Sequence, residues 1–347
     1  MTAQHSQSSQ MAREIAEQPA AVQRTLDRLL PQRESLRELV GERRRVLLVA
    51  RGSSDNAAVY GRYLLEVGAG VPAALAAPSV ATHYRARLDL TDTLVVSVSQ
   101  SGSTQEIVES QAWARECGAA TAAVTNVADS PLAAAADLAL VTQAGPELAV
   151  PATKTYVTQL AAVAVLADAL GAGIGDDLAR VPEEISRLSG ADVEAAARLL
   201  ADAEHVVVSG RGLLMGTALE TALKLEETCL TPVRGYSYAD LRHGPISVVT
   251  SGIAAVLVAA QDGPLAEPMV ELAADLRSRG AHIVGIGGGT AFAEACDVHL
   301  AGPELPEAVA PLATIVPAQL MIERLARDLG LDPDNPRGLK KVTQTDA

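Results

Sequence analysis

Aromatic side chains are nearly missing from this chain: one Trp, one Phe and six Tyr among 347 residues, or 2%. Its cores must be filled by Ala, Val and Leu, and the 48% apolar content supplies enough of them. Cysteine is also scarce. Cys117, Cys229 and Cys296 are scattered without a CxxC pair, and the six His show no metal-ligand spacing, which argues against a disulfide framework, a structural zinc site or any other metal. Positive charge is the minority, with Lys+Arg 28 against Asp+Glu 42 and a net charge of -14. Nucleic acid and anionic membrane both require a cationic surface, so neither is an expected partner. No apolar run reaches the ~18 residues of a membrane span, and the polar stretch Met1 to Gln10 lacks a signal-peptide core. At roughly 150 residues per domain the length suggests two domains. A soluble, cytoplasmic α/β protein is expected.

What the chain does contain is a repeat. Val46–Ala50 (VLLVA) runs into Arg51-Gly52, and Val206–Gly210 (VVVSG) runs into Arg211-Gly212, an offset of 160 from Val46 to Val206. Leu94–Ser99 runs into Gln100-Ser101-Gly102, and Ala254–Ala260 into Gln261-Asp262-Gly263, an offset of 161 from Gln100 to Gln261. Ala123–Thr125 precedes Asp137, and Ile283–Ile286 precedes Asp297, again 160 apart. Three landmarks at a nearly constant offset imply two copies of one fold. The runs are short and β-branched and lack polar alternation, as befits parallel strands buried on both faces. Helical stretches at 54–66, 104–117, 214–228 and 265–279 separate them. The expected fold is therefore two tandem, doubly wound parallel-sheet sandwiches. Ligands of such folds bind beyond the carboxyl ends of the strands.

In the first copy those ends carry Arg51-Gly52-Ser53-Ser54-Asp55-Asn56 and Ser99-Gln100-Ser101-Gly102-Ser103-Thr104, two hydroxyl-rich turns that open helices. Helix N-termini offer unpaired amides and partial positive charge to a phosphate, although Ser and Thr there can also be plain caps. The second copy reads Arg211-Gly212-Leu213-Leu214 and Gln261-Asp262-Gly263-Pro264, so one phosphate site per chain is expected. Gly210, Gly212 and Gly216 miss the dinucleotide fingerprint by one residue, and no cofactor is expected. Glu220, Lys224 and Glu227 share one helix face, either as an exposed ion-pair stripe or as a row that tunes a carboxylate for proton transfer. His243 sits before a Gly-Pro turn, and the tail carries Pro336-Arg337-Gly338-Leu339-Lys340-Lys341.

Taken together, the motifs EIAEQP (14–19), RGSS (51–54), SQSGST (99–104), ELAVPATK (147–154), LETALKLEE (219–227), LRHGP (241–245) and PRGLKK (336–341) resemble a known family. The chain is similar to the tandem sugar-isomerase (SIS) half of glucosamine-6-phosphate synthase and to stand-alone SIS-type glucosamine-6-phosphate deaminases. No Cys precedes Cys117, so the synthase's glutaminase is expected to be absent. The resemblance implies an N-terminal helical segment (1–30), a phosphate-binding SIS domain (31–190), a second SIS domain with the catalytic helix and His loop (191–330), and a tail (331–347). It implies that Ser54, Ser99, Gln100, Ser101 and Thr104 hold a 6-phosphate and that Ser53 and the Val150 backbone touch the sugar. Glu227 matches the base that moves a proton between C1 and C2, with Glu220 and Lys224 as supporting charges. His243 matches a ring-opening histidine lent by the other subunit of a homodimer, and Lys341 the tail lysine that meets the open-chain sugar. Departures from the family pattern fall at Val80, Ala152, Arg234, Tyr238 and Asp240. The implied activity is isomerisation and deamination of an amino-sugar 6-phosphate. Alternatives are a dehydratase acting on N-acetylglucosamine 6-phosphate and a non-catalytic phosphosugar sensor. About 40 residues precede the first strand, too few for a separate DNA-binding domain.

Overall fold

A computed structural model describes residues 8–342; the last part of the tail segment, 343–347, lies outside the described residues. Two five-stranded sheets form, every strand parallel to its neighbours. The first contains β1 (Arg45–Val49), β2 (Ala73–Leu75), β3 (Thr93–Val98), β4 (Ala120–Thr125) and β5 (Leu138–Val141) in the order β2-β1-β3-β4-β5. The second contains β6 (His205–Gly210), β7 (Gly235–Ser237), β8 (Ile253–Ala259), β9 (His282–Gly287) and β10 (Val298–Leu300) in the order β10-β9-β8-β6-β7. Every residue of β3, β4 and β8 is buried, which is why these runs carry no polar alternation.

The duplication extends to register. Arg45 pairs with Thr93, and His205 with Ile253, so both partners shift by 160. The fourth strands differ: Ala120 pairs with Leu94 but His282 with Ala254, an offset of 162 (282 less 120). Matching Ala123 to Ile283 at 160 therefore misplaces that strand by two residues. The chain gains two residues before β9 and loses them again before β10. A shared brace confirms the alignment. Asp137 Oδ2 accepts from Thr121 N at 2.8 Å and Asp297 Oδ2 from Ile283 N at 2.8 Å. Arg115 and Arg277 each stand 3.0 Å from the respective aspartate.

One continuous apolar core lies between the sheets and draws on both halves, while each sheet's outer face has its own smaller cluster. The central layer includes the helices Gln18–Leu29, Ser53–Val67, Lys154–Ala167, Met215–Cys229 and Pro311–Asp328. Lys154–Ala172 is long and apolar enough to cross a membrane by length and composition, a stretch that counting uninterrupted apolar runs passes over; here it is buried inside the protein. Close approach of helices, between the halves and within the first half, depends on glycine. A Cβ at Gly216 would meet the Asn56 carbonyl oxygen at 2.5 Å, and one at Gly61 would meet Val163 Cγ1 at 2.3 Å. Gly216 of the glycine trio near 210–216 thus serves packing between helices.

Candidate functional site

Two loops at the carboxyl ends of β1 and β3 open the site. Gly52, at φ +59°, ends the first loop as N-cap of the Ser53–Val67 helix and places Ser53 and Ser54 on its first turn. Gly102, at φ +60°, lets the second loop pass over Ser130, whose Oγ would lie 2.2 Å from an added Cβ. The Gln100 carbonyl accepts from Asn126 N at 3.0 Å and Thr125 Oγ1 at 3.2 Å, which fixes the loop to β4. Thr104 is the N-cap of the Gln105–Glu116 helix. Gly52 has no side chain to cap with, and Thr104 makes no side-chain bond across its first turn, so the Thr104 hydroxyl is not used as a cap. Ser101 Oγ accepts from Ser103 Oγ at 2.9 Å, and the Ser99 and Thr104 hydroxyls are 3.5 Å apart.

The second half has filled the same places. Leu213 and Leu214 are buried, and a Cβ at Gly212 would meet Leu265 Cδ1 at 2.5 Å. Its counterpart hollow, about 390 Å³, is lined by Gln261, Asp262, Glu304, Leu305 and Pro306. Burial and the neighbouring Asp262 hold the Glu307 carboxyl above its ordinary range there, an environment hostile to anions.

Opposite the hydroxyl loops, the Met215–Cys229 helix presents its charged row. Glu220 and Lys224 are fully buried, which excludes an exposed stripe. Glu220 Oε2 accepts from Asn56 Nδ2 at 2.8 Å, a bond between the two halves. Lys224 Nζ lies 3.4 Å from Glu220 Oε1 and donates a very short hydrogen bond to Glu227. Burial raises the Glu220 pKa, against the pull of Lys224. Burial would lower Lys224, but the two carboxylates outweigh it and its pKa rises, so the ammonium persists. Lys224 and Glu227 both line the cleft, and Glu227, with 24% of its side chain exposed, is the more open of the two.

A third wall joins distant parts of the chain. Glu147 is buried and accepts from Thr153 N and Thr155 N at 3.0 Å each, from Thr155 Oγ1 at 2.5 Å, and from Lys341 Nζ at 2.6 Å. Lys341 also donates to the Ala149 carbonyl at 2.8 Å, and Val150 N to the Asp334 carbonyl at 2.8 Å. Asp334 in turn accepts from Gln10 N and Met11 N at 2.8 and 2.7 Å. Glu14 receives Leu148 N at 2.5 Å, and Glu17 pairs with the buried Lys154. The EIAEQP segment thus anchors the 147–154 loop.

The resulting cleft encloses about 470 Å³. It brings together Ser53, Ser54, Ser99, Gln100, Ser101, Thr104, Val150, Lys224, Glu227 and Lys341, with Arg51, Ala152, Leu339, Lys340 and Val342 among the rest of the wall. Glu220 is buried, bonded to Lys224, and does not line the cleft. His243 is exposed at the end of the short Tyr238–Arg242 helix and does not line the cleft of its own chain. Beside it, Tyr238 is stacked between Arg211 and Arg242, at 5.1 and 5.0 Å, and Ser237 caps Asp240. A larger groove, about 810 Å³ between Ala81–Asp89 and the end of the Gln105–Glu116 helix, contains none of these residues. Among the described residues no group of three or more His, Cys, Asp or Glu is placed to hold a metal ion.

Two matches to the SIS domain, over residues 38–169 and 199–326, coincide with the two sheets. The chain belongs to the SIS family. Relatives support that membership along most of its length. The isomerizing glutamine–fructose-6-phosphate aminotransferase of Methanothermobacter thermautotrophicus is 36% identical over 340 residues, which are 95% of this chain and 56% of that protein. The SIS chain thus spans little more than half the length of the curated relatives it matches. A chain from Silicibacter pomeroyi assigned as a phosphosugar isomerase superposes with TM-score 0.86 at 35% identity, covering 94% of this chain and all of that one. The glucosamine-6-phosphate deaminase of Thermotoga maritima superposes with TM-score 0.77 at 26% identity, covering 97% of this SIS chain and all of that one.

Three contacts of this SIS site escaped the sequence. Glu147 stands inside a recognised motif, yet nothing in the sequence shows that it meets Lys341. Asn56 and Arg51 stand in the first hydroxyl loop, but their carboxylate partners Glu220 and Glu106 lie far along the chain.

Proposed function

We propose that this protein is an isomerase and deaminase of amino-sugar 6-phosphates, converting glucosamine 6-phosphate to fructose 6-phosphate and ammonia. The observation that carries the reading is the facing of two hydroxyl-rich helix N-termini and the Lys224-held Glu227 across one cleft. The helix ends and the Ser and Thr hydroxyls suit a dianionic phosphate. With the phosphate held there by Ser54, Ser99, Gln100, Ser101 and Thr104, the reducing end of the sugar extends toward Ser53, Val150 and Glu227. His243, lent by the second subunit of a homodimer, assists opening of the ring. Glu227 then takes the C2 proton of the open-chain aldehyde while O1 takes up a proton from solvent, leaving an enolamine, and returns the C2 proton to C1 as the nitrogen gives one up to solvent. The product is a C2 imine, and addition of water releases ammonia and leaves the ketone. Lys224 and Glu220 set the charge of the base, and Lys341 closes the carbonyl end. The similarity to the Thermotoga deaminase, which covers the whole of that chain, supports the deamination reading.

The test supplies glucosamine 6-phosphate and measures ammonia and fructose 6-phosphate together. Glu227→Gln should lower kcat by about 10²–10⁴-fold while binding of the phosphosugar persists. Undiminished turnover in that variant overturns the base assignment. Loss of water from N-acetylglucosamine 6-phosphate, with no ammonia from the free amine, replaces deamination by dehydration. Binding with no product from any amino-sugar phosphate leaves a sensor.

A further inference from the structure

The geometry points to Arg51 and Glu106 as a clasp that positions the two phosphate loops against each other. Arg51 lies on the loop after β1, and Glu106 on the first turn of the helix that follows β3. Arg51 Nε donates to Glu106 Oε2 at 2.9 Å and Nη2 to Oε1 at 2.8 Å, a two-pronged pair between residues 55 apart. The Glu106 side chain is 4% exposed and that of Arg51 45%, with Arg51 on the cleft wall. Planar, bidentate pairing fixes orientation as well as distance, so the bond sets the gap between Ser53-Ser54 and Ser99–Thr104.

Charge gives the pair a second task. An acid on the first turn interacts favourably with the helix end and would repel a phosphate brought to the same amides. Bound to Arg51, the Glu106 charge is balanced and no longer opposes an anion at that helix end. Two of the five N–H groups of Arg51 serve Glu106. Asp55, whose carboxyl is raised by burial and pulled down by Arg51, is the other acid near that guanidinium.

The duplicated half is an internal control. Arg211 occupies the place of Arg51, and Glu267 is the first-turn acid of the Ala266–Ser278 helix. Among the described residues those two form no ion pair; Arg211 stacks on Tyr238 instead. The clasp is therefore present in the half that keeps the hydroxyl loops and not in the half that has replaced them.

The inference rests on the phosphosugar reading for its ligand, and its test separates the two. Affinity for inorganic phosphate is measured by calorimetry without turnover, beside KM and kcat for glucosamine 6-phosphate and thermal melting. Arg51→Met and Glu106→Gln should each weaken phosphate binding and raise KM by about tenfold or more, with kcat within about twofold. Arg51→Lys, which keeps charge without the planar fork, should fall between. Unchanged phosphate affinity in both Arg51→Met and Glu106→Gln overturns the clasp. So does a parallel loss of kcat and melting temperature with KM unmoved, which would mark a purely structural pair. If the wild type binds phosphate but turns over no amino-sugar phosphate, the proposed reaction fails while the clasp stands on its binding data.

Discussion

The Lys341 ammonium stands 2.6 Å from Glu147 Oε2, though 194 residues separate the two along the chain. The carboxylate is buried and already receives two amides and a hydroxyl, so the lysine finds an anion whose position is fixed before it arrives.

This pair gives the tail a defined pH dependence. Burial works to raise the Glu147 pKa, but Lys341 and the Thr155 hydrogen bonds outweigh it and hold the carboxyl below its ordinary value of about 4.3. A depressed folded pKa means stability that is present above the unfolded value and lost as pH falls through the folded one. Tail amides near 336–342 should therefore exchange with solvent faster as pH drops below about 4, before those of β3 do. Lys341→Met should release the tail at neutral pH. Equal protection in that variant, measured by hydrogen exchange at pH 7, would show that the pair does not hold the tail.

Lys224 is the charge on which the buried row depends. Lys224→Met leaves the Glu220 carboxylate, which is fully buried, without its cation. Breaking a buried pair from one side costs about 3–5 kcal/mol. Urea unfolding should show a loss of that order, and the double variant Lys224→Met/Glu220→Gln should recover most of it. No recovery would place the cost in the lost packing of the lysine stem.

Gly216→Ala tests the seam between the halves. The added methyl would lie 2.5 Å from a backbone oxygen, which no side-chain rotation relieves. A loss of about 1–3 kcal/mol is expected, with a matching fall in melting temperature. Gly190→Ala, where nothing lies within 4 Å of the new atom, should stay within about 0.5 kcal/mol. A Gly216→Ala protein as stable as the wild type would mean that the two helices part without cost.

The sequence reveals the fold where burial alone determines residue type. Strands β1, β3, β6 and β8 are apolar runs because both faces are covered, and the turns after them could be located from those runs. The edge strands β2 and β7 are three residues each and only partly buried, so no apolar run marks them. The two-residue excursion at β9 is invisible without backbone pairing. Within the cleft, the hydroxyl loops were legible because they follow strands, and the Glu220-Lys224-Glu227 row because it follows helical periodicity. Their partners were not. Asn56, Glu106 and Glu147 meet the site through packing of segments 55 to 194 residues apart, a relation that spacing in one chain does not encode. His243 was legible as a motif, yet the folded chain leaves it outside its own cleft.

Leu265 lying over Gly212, and Glu307 pressed against Gly263, have a bearing on stoichiometry. The molecule is nearly twofold in its backbone and one-sided in its chemistry. A titration with an anionic ligand should reach its plateau at a single equivalent per polypeptide, however symmetric the protein looks.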